Sequence, residues 1–83
     1  MTAQSFTGTI NTDGEFETVA SLTSLTLTSG KKFNMQIQNV AYLKEGDAVF
    51  CFNNEKFDYT VGSNDLYIKT VAGSCVLTML EVE

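Results

Sequence analysis

The chain lacks four residue types entirely. Its 83 residues include no His, Pro, Trp or Arg, so all five positive side chains are lysines. Without His the commonest general base and metal ligand is missing, and a Ser or Cys nucleophile has no imidazole to activate it. Without Arg there is no bidentate clamp for phosphate or carboxylate. These absences predict a protein that is not an enzyme, with no catalytic, cofactor-binding or metal-binding residues.

Positive charge is also scarce. Ten Asp and Glu residues outnumber the five lysines, and the net charge is −5. Nucleic-acid binding depends on neutralising phosphates, so we expect no nucleic-acid partner. No stretch approaches the roughly 18 apolar residues of a membrane helix, and the first residues lack the basic and apolar regions of a signal peptide. We therefore expect no signal peptide and no membrane partner.

What is present is enough apolar material for one core. A chain of 83 residues with 43% hydrophobic residues predicts a single domain over residues 1–83. The two cysteines, Cys51 and Cys75, each lie in an apolar run and are interpreted first as small buried hydrophobes in a reducing compartment. A disulfide between them stays open as an alternative. It would close a loop of about 25 residues, contribute roughly 3 kcal/mol and require adjacent strands.

Alternation with a period of two recurs along the chain, and no segment shows a helical period. In the clearest strand, Phe33, Met35 and Ile37 alternate with polar residues, which predicts one buried and one amide-rich face. Residues 48–52 form a nearly unbroken apolar run that ends at Asn53 and Asn54. Such a run fits a strand covered on both sides, or one whose outer face meets a partner. Further strands are predicted near residues 6–10, 15–19, 25–28, 57–61, 66–69 and 75–82.

Seven or eight short, mainly antiparallel strands separated by turn residues predict an all-β fold, a small β-sandwich or a jelly-roll-like barrel. Residues 1–20 are expected to form an N-terminal hairpin and residues 22–83 the main sandwich. Edge strands often carry proline to prevent pairing with other chains. Because this chain has none, we expect its edges to be shared with other subunits, as in a homo-oligomer.

Six residues are candidates for an interface. Two tyrosines alternate away from their apolar neighbours, and Tyr is enriched where proteins meet. Two glutamines lie on the amide-rich face of the clearest strand, and two phenylalanines lie in the apolar run. The candidates are Tyr42, Tyr67, Gln36, Gln38, Phe50 and Phe52.

From about residue 22 onward, the pattern resembles a class of small structural proteins of tailed phages. The resemblance is carried by a basic turn followed by a strand that ends in Gln and Asn, a later Leu-Tyr-Ile-Lys strand, and an Ala-Gly-Ser turn before a closing apolar strand. These segments are residues 25–32, 37–40, 45–47, 66–69, 72–74 and 75–83. The N-terminal residues and residues 40–44 do not match the pattern.

The resemblance implies a virion component without catalytic residues: a capsid decoration, head-fibre or neck and tail accessory protein. It further implies assembly in the host cytoplasm, contacts with other virion proteins, and self-association for which a trimer is one arrangement. It also implies that residues 37–39 form a strand whose amides support a neighbouring turn. The alternative function is a free-standing β-sandwich module that binds a glycan or a host surface protein, for which Tyr42 or Tyr67 would line a concave patch.

Overall fold

The computed structural model describes residues 3–71 and 73–82, which fold into one antiparallel sheet of six strands with one short helix. The elements are β1 (Ser5–Ile10), β2 (Glu17–Thr18), α1 (Val19–Thr23), β3 (Lys32–Glu45), β4 (Ala48–Thr60), β5 (Leu66–Thr70) and β6 (Cys75–Val82). Strands account for 61% of the structure and helix for 6%, and the sheet curls into a half-barrel. The all-β prediction is confirmed, whereas a sandwich or jelly roll of seven or eight strands is not.

The long hairpin β3–β4 organises the sheet. β4 pairs with one side of β3 along nearly its whole length. On the other side, residues 32–38 of β3 pair with β6, and residues 41–45 pair with β5. We call β1, β6 and the adjoining parts of β3 and β4 the first half-sheet. β2, β5 and the remaining parts of β3 and β4 form the second half-sheet.

The core lies between the two half-sheets on the inner face of the curl. Alternation along β3 and β6 directs every second side chain inward, and these side chains are fully or almost fully buried. The buried apolar residues are Ile10, Val19, Phe33, Met35, Ile37, Ala41, Leu43, Val61, Leu66, Ile68, Cys75, Leu77 and Met79. The expectation that β3 has one buried and one amide-rich face is therefore confirmed.

The predicted N-terminal hairpin over residues 1–20 does not form among the described residues. β1 pairs with β6, at the far end of the chain, and β2 pairs with β5. The turn between β1 and β2 carries the chain from one half-sheet to the other. Two buried threonines fix this crossing, because Thr12 Oγ1 donates to the carbonyl of Ile68 at 3.0 Å and the Thr12 amide donates to Thr70 Oγ1 at 3.1 Å.

Residues 25–28 are not a strand, although they alternate as one. A side-chain amide takes the place of a strand partner, since Gln4 Nε2 donates to the Thr26 carbonyl at 2.9 Å and the Thr26 amide donates to Gln4 Oε1 at 2.7 Å. The backbone of Gln4 is held in turn by Glu81, whose carboxylate accepts from the Gln4 amide and pairs with Lys31 at 3.1 Å. The Gln4 hydrogen bond and Lys31 hold the pKa of Glu81 below its usual range.

Helix α1 was not expected from the sequence. It is a single turn of five residues, too short to show a 3.6-residue period. Thr23 Oγ1 donates to the Val19 carbonyl, and Ser24 ends the turn in the left-handed conformation with φ 61°. Val19 and Thr23 are buried, and α1 packs beside β2 and β5.

Candidate functional site

β4 is a free edge. Within the described part of the chain its backbone pairs only with β3, and no other backbone–backbone hydrogen bond reaches it; at Asn53 the amide donates to Glu55 Oε1 at 3.3 Å. Glu45 and Ala48 flank a two-residue turn in which Gly46 has φ 59°, as at the first position of a type II′ turn. The two flanking residues of such a turn form a hydrogen-bonded pair, and alternation then directs the N–H and C=O groups of Val49 and Cys51 away from β3. These groups are available to a strand from another molecule.

The apolar residues of this edge are exposed. No residue of β4 is buried; Val49 is 52% and Phe50 54% exposed. The interpretation of residues 48–52 as a strand covered on both sides within its own chain is therefore wrong. The other interpretation, a strand that meets a partner, is the one that remains.

β4 does not stop at Asn53 and Asn54, as the sequence suggested, but bends there and continues. The register of the hairpin shifts between Ile37 and Val40, and Asn39 and Asn54 both have positive φ, 72° and 51°. Asparagine is one of the few residues that tolerates this conformation. The Asn39 amide donates to Asn54 Oδ1 at 2.9 Å, which joins the two strands at the bend. Asn39 Nδ2 also donates to the carbonyl of Ser74, at 3.4 Å, in the turn before β6.

The bend brings the two ends of the hairpin together. Phe52 and Phe57 lie on either side of it and stack with ring centroids 4.1 Å apart. Further along, Tyr59 OH donates to Glu45 Oε2 at 2.6 Å. Burial, followed by this hydrogen bond to a carboxylate, raises the pKa of Tyr59 well above its ordinary value. Between the two halves of β4 lies an apolar hollow of about 180 Å³, whose lining includes Leu43, Phe50, Phe52, Phe57, Tyr59 and Leu66.

The outer face of the first half-sheet combines polar, largely uncharged side chains with two exposed apolar ones, Leu80 and Val82 on β6. Gln36 and Gln38 point outward from β3, as predicted, but they lie on a different half-sheet from Phe50. At the edge of this face, Lys56 of β4 lies opposite Gln36 and Asp58 lies opposite Asn34. A shallow hollow of about 460 Å³ lies here, lined by Asn34, Met35, Gln36, Lys56, Phe57, Asp58, Thr78 and Leu80.

The outer face of the second half-sheet carries Tyr42 and Tyr67. Both rings are partly covered, because two lysines lie among the aromatic side chains. Lys69 Nζ is 4.8 Å from the ring centre of Phe16 and 5.5 Å from that of Tyr42, and Lys44 Nζ is 5.5 Å from Phe16. These distances are those of cation–π contacts.

The six predicted interface residues therefore occupy three surfaces. Phe50 and Phe52 lie at the free edge, Gln36 and Gln38 on the first outer face, and Tyr42 and Tyr67 on the second. The sequence did not single out Lys56 and Asp58, because two charges on an exposed face carry no signal of burial or alternation. The signal that would have found them is a pair of opposite charges two residues apart in a strand.

The two cysteines are free thiols on different strands. Cys75 is buried in β6, as predicted, and burial raises the pKa of its thiol. Cys51 is exposed on the outer side of β4, opposite Tyr42, so its interpretation as a buried hydrophobe is wrong.

The residues that the structure describes contain no group of three or more His, Cys, Asp or Glu side chains that could hold a metal ion. In the same part of the chain, no helix has the length and apolar character needed to cross a membrane. Comparison with protein families, curated proteins and solved structures finds no match to this chain.

Proposed function

We propose that this chain is a non-catalytic assembly module of a tailed phage, which docks on a capsid, fibre or neck protein of the virion. The observation that carries the proposal is the free edge of β4, where Val49 and Phe50 are more than half exposed. A long, apolar and unprotected edge is a hazard for a chain that stays alone. It is a contact surface for a chain that functions within an assembly.

The composition of this edge supports docking by strand addition. Residues 48–54 carry no charge and no proline, the two devices that most often block an edge. A partner strand would take up the outward backbone groups of Val49 and Cys51, and the apolar side chains nearby would give specificity. A strand added there would be the seventh of the sheet, and we propose that the strand number expected from the sequence is reached in this way.

The partners we propose are other virion proteins, and the place of assembly is the host cytoplasm. The resemblance to phage structural proteins supports this choice, together with a net charge of −5, which disfavours binding to the packaged nucleic acid. We propose no role for a cofactor or a metal.

The test uses phage particles assembled without this chain. Purified chain is added, and its co-sedimentation with the particles is measured for the wild type, Val49→Lys, Phe50→Lys and the control Val71→Lys. Val71 is 45% exposed and lies outside β4, so its variant makes the same chemical change elsewhere. We expect the wild type and the control to co-sediment and both β4 variants to lose at least about tenfold in affinity, because a lysine ammonium resists burial.

Two results would overturn the proposal. One is a chain that does not co-sediment with the particles. The other is equal binding by Phe50→Lys and the wild type, which would place the contact away from β4.

A second candidate function is a binding module for an acidic glycan. The observation that favours it is the clustering of Tyr42, Phe16, Lys44 and Lys69 on one outer face. Aromatic rings provide platforms for sugars, and the two ammonium groups would select a carboxylate. Titration with oligosaccharides that contain uronic or sialic acid, followed by NMR, should shift the Tyr42 and Lys69 signals. No shift at millimolar sugar would remove this candidate.

A further inference from the structure

The outer face of β4 carries a pair of opposite charges with no ionic partner. Lys56 and Asp58 are exposed and separated by one residue, so both side chains lie on the outer side of the sheet. Within residues 3–71 and 73–82 the ion pair found is between Lys31 and Glu81, and neither Lys56 nor Asp58 takes part in one. Both charges lie on the strand whose outer backbone groups are free.

A positive and a negative charge two residues apart make an edge strand complementary to itself. Two copies of such a strand can pair in an antiparallel manner around a two-fold axis. The residue on the axis then faces the same residue of the other copy, and the residue before it faces the residue after it in the other copy. With Phe57 on the axis, Lys56 of each copy lies directly opposite Asp58 of the other. Opposite charges placed so stabilise a strand pair.

We propose that this chain self-associates through residues 55–59 of β4, as a two-fold antiparallel pair centred on Phe57. The partner is a second copy of the same chain, and the two first half-sheets join into one continuous sheet. The two Phe57 rings meet across the axis on the inner face, where aromatic cross-strand pairs add stability.

Neighbouring registers are disfavoured by charge. A shift of the axis to residue 56 would place Lys56 opposite its own copy, and a shift to residue 58 would do the same to Asp58. Like charges directly opposite each other destabilise a strand pair. Of these three registers, only the one centred on Phe57 places Lys56 of each copy opposite Asp58 of the other.

The bend of β4 separates this contact from the docking edge proposed above. The strand bends at Asn53 and Asn54, between residues 48–52 and residues 55–60, as the Phe52–Phe57 and Tyr59–Glu45 contacts across the bend show. The paired copies therefore leave Val49 and Phe50 open to another protein. The inference deepens the proposed assembly role and rests on it only in treating β4 as a contact surface.

A contact of five residues from each copy is small, and small interfaces are weak and transient. We expect a dissociation constant on the order of 100 µM for the isolated chain at low salt. On a particle, where many copies are held together, a weak contact of this kind is strengthened by high local concentration.

The experiment is a charge exchange measured by sedimentation equilibrium up to about 1 mM chain. Lys56→Asp and Asp58→Lys each place like charges opposite each other in a homodimer, and we expect each alone to dimerise about tenfold more weakly than the wild type. An equimolar mixture of the two variants restores both opposite-charge pairs, as does the double variant K56D/D58K. The control Lys32→Asp makes the same charge change on the same outer face but on β3.

The expected results are dimers of the wild type, of Lys32→Asp and of the double variant, and a heterodimer in the mixture. Dimerisation of the wild type should also weaken as salt is raised, since exposed pairs are screened. A wild type that remains monomeric at about 1 mM, or a mixture in which no heterodimer forms, would overturn the inference.

Failure here is distinguishable from failure of the docking proposal. Self-association depends on Lys56 and Asp58 and is measured without particles, whereas docking depends on Val49 and Phe50 and is measured with them. Self-association that responds to Phe50→Lys and not to the charge variants would overturn the register centred on Phe57.

Discussion

β3 and β4 are strands of similar length, paired along one hairpin, yet they differ in nearly every physical respect. β3 is paired on both sides and buries Phe33, Met35 and Ile37 completely or nearly so. β4 is paired on one side only and has no fully buried residue, although residues 48–52 make it the more continuously apolar of the two; Phe52, Phe57 and Tyr59 are partly buried against the core. For these two strands, burial therefore follows the number of neighbouring strands and not the hydrophobicity of the strand itself.

The comparison also indicates where stability and binding reside. Side chains that alternate into the core from β3 contribute stability by removing apolar area from water. Side chains on β4 leave much of their area in water and so contribute less to folding. The same area is available for contact with another molecule.

The largest effect is expected from truncating matched apolar residues on the two strands. Ile37→Ala should lower the free energy of unfolding by about 3 kcal/mol, because Ile37 is fully buried and a cavity would remain. Phe50→Ala removes a larger side chain but should cost less than about 1 kcal/mol, since more than half of Phe50 is already in water. Urea denaturation of both variants measures the difference.

If Phe50→Ala proved as destabilising as Ile37→Ala, the contrast between the strands would be lost. Ile37→Val serves as a milder variant should the alanine variant fail to fold, with an expected loss of about 1 kcal/mol.

An intermediate effect is expected at the bend that separates the two halves of β4. Asn54→Ala should lower the free energy of unfolding by about 2 kcal/mol, because alanine is strained at φ 51° and no longer accepts from the Asn39 amide. Asn54→Gly is not strained but also lacks the acceptor for the Asn39 amide. Its stability should therefore lie between those of the alanine variant and the wild type. Thermal unfolding followed by circular dichroism ranks the three proteins.

Asn53→Ala is the matched control, since Asn53 is not among the residues with positive φ and its Oδ1 accepts one hydrogen bond, from Asn54 Nδ2 at 2.9 Å. This variant loses a hydrogen bond without left-handed strain. If the alanine variants at positions 53 and 54 lost equal stability, the left-handed conformation of Asn54 would not be what stabilises the bend.

The smallest effect is expected at the hydrogen bond that closes the hairpin. Tyr59→Phe should lower the free energy of unfolding by about 1 kcal/mol at neutral pH, because Glu45 loses a donor. The raised pKa of Tyr59 means that the folded state holds this proton more tightly than the unfolded state. Its contribution is fully present below about pH 10 and declines as the pH rises further.

Urea denaturation at about pH 8 and about pH 11 measures this dependence. The wild type and the control Tyr67→Phe should lose more stability between these two values than Tyr59→Phe does. If all three proteins lost the same free energy of unfolding between the two pH values, Tyr59 would not be the source of the pH dependence.

The parts of this fold that the sequence predicted are those controlled by local alternation. Phe33, Met35 and Ile37 were placed correctly on a buried face, because a period of two along a strand leaves few alternatives. Residues 25–28 show the same period and are not a strand, because their partner is the side chain of Gln4 and nothing local encodes that. Helix α1 is too short to carry a period at all.

Pairing partners and exposure could not be predicted, since both depend on residues far apart in the chain. The sequence predicted that Phe50 and Phe52 belong to an interface but could not show that β4 has only one neighbour. It also placed a break at Asn53 and Asn54, where the structure has a bend. Asparagine is common both in turns and in left-handed bends, so its presence alone does not separate the two.

The pairing of β1 with β6 sets the order in which this chain acquires its structure. Ser5 lies opposite Leu80, so β1 is synthesised before the other five strands of this sheet but can pair only once β6, the latest of them, has been synthesised. The β3–β4 hairpin joins neighbouring segments through a short turn and is available much earlier. Until β5 and β6 arrive, β3 also has an open side, and the nascent hairpin exposes two edges. Synthesis of many copies at one place therefore favours encounters between hairpins before each sheet is complete.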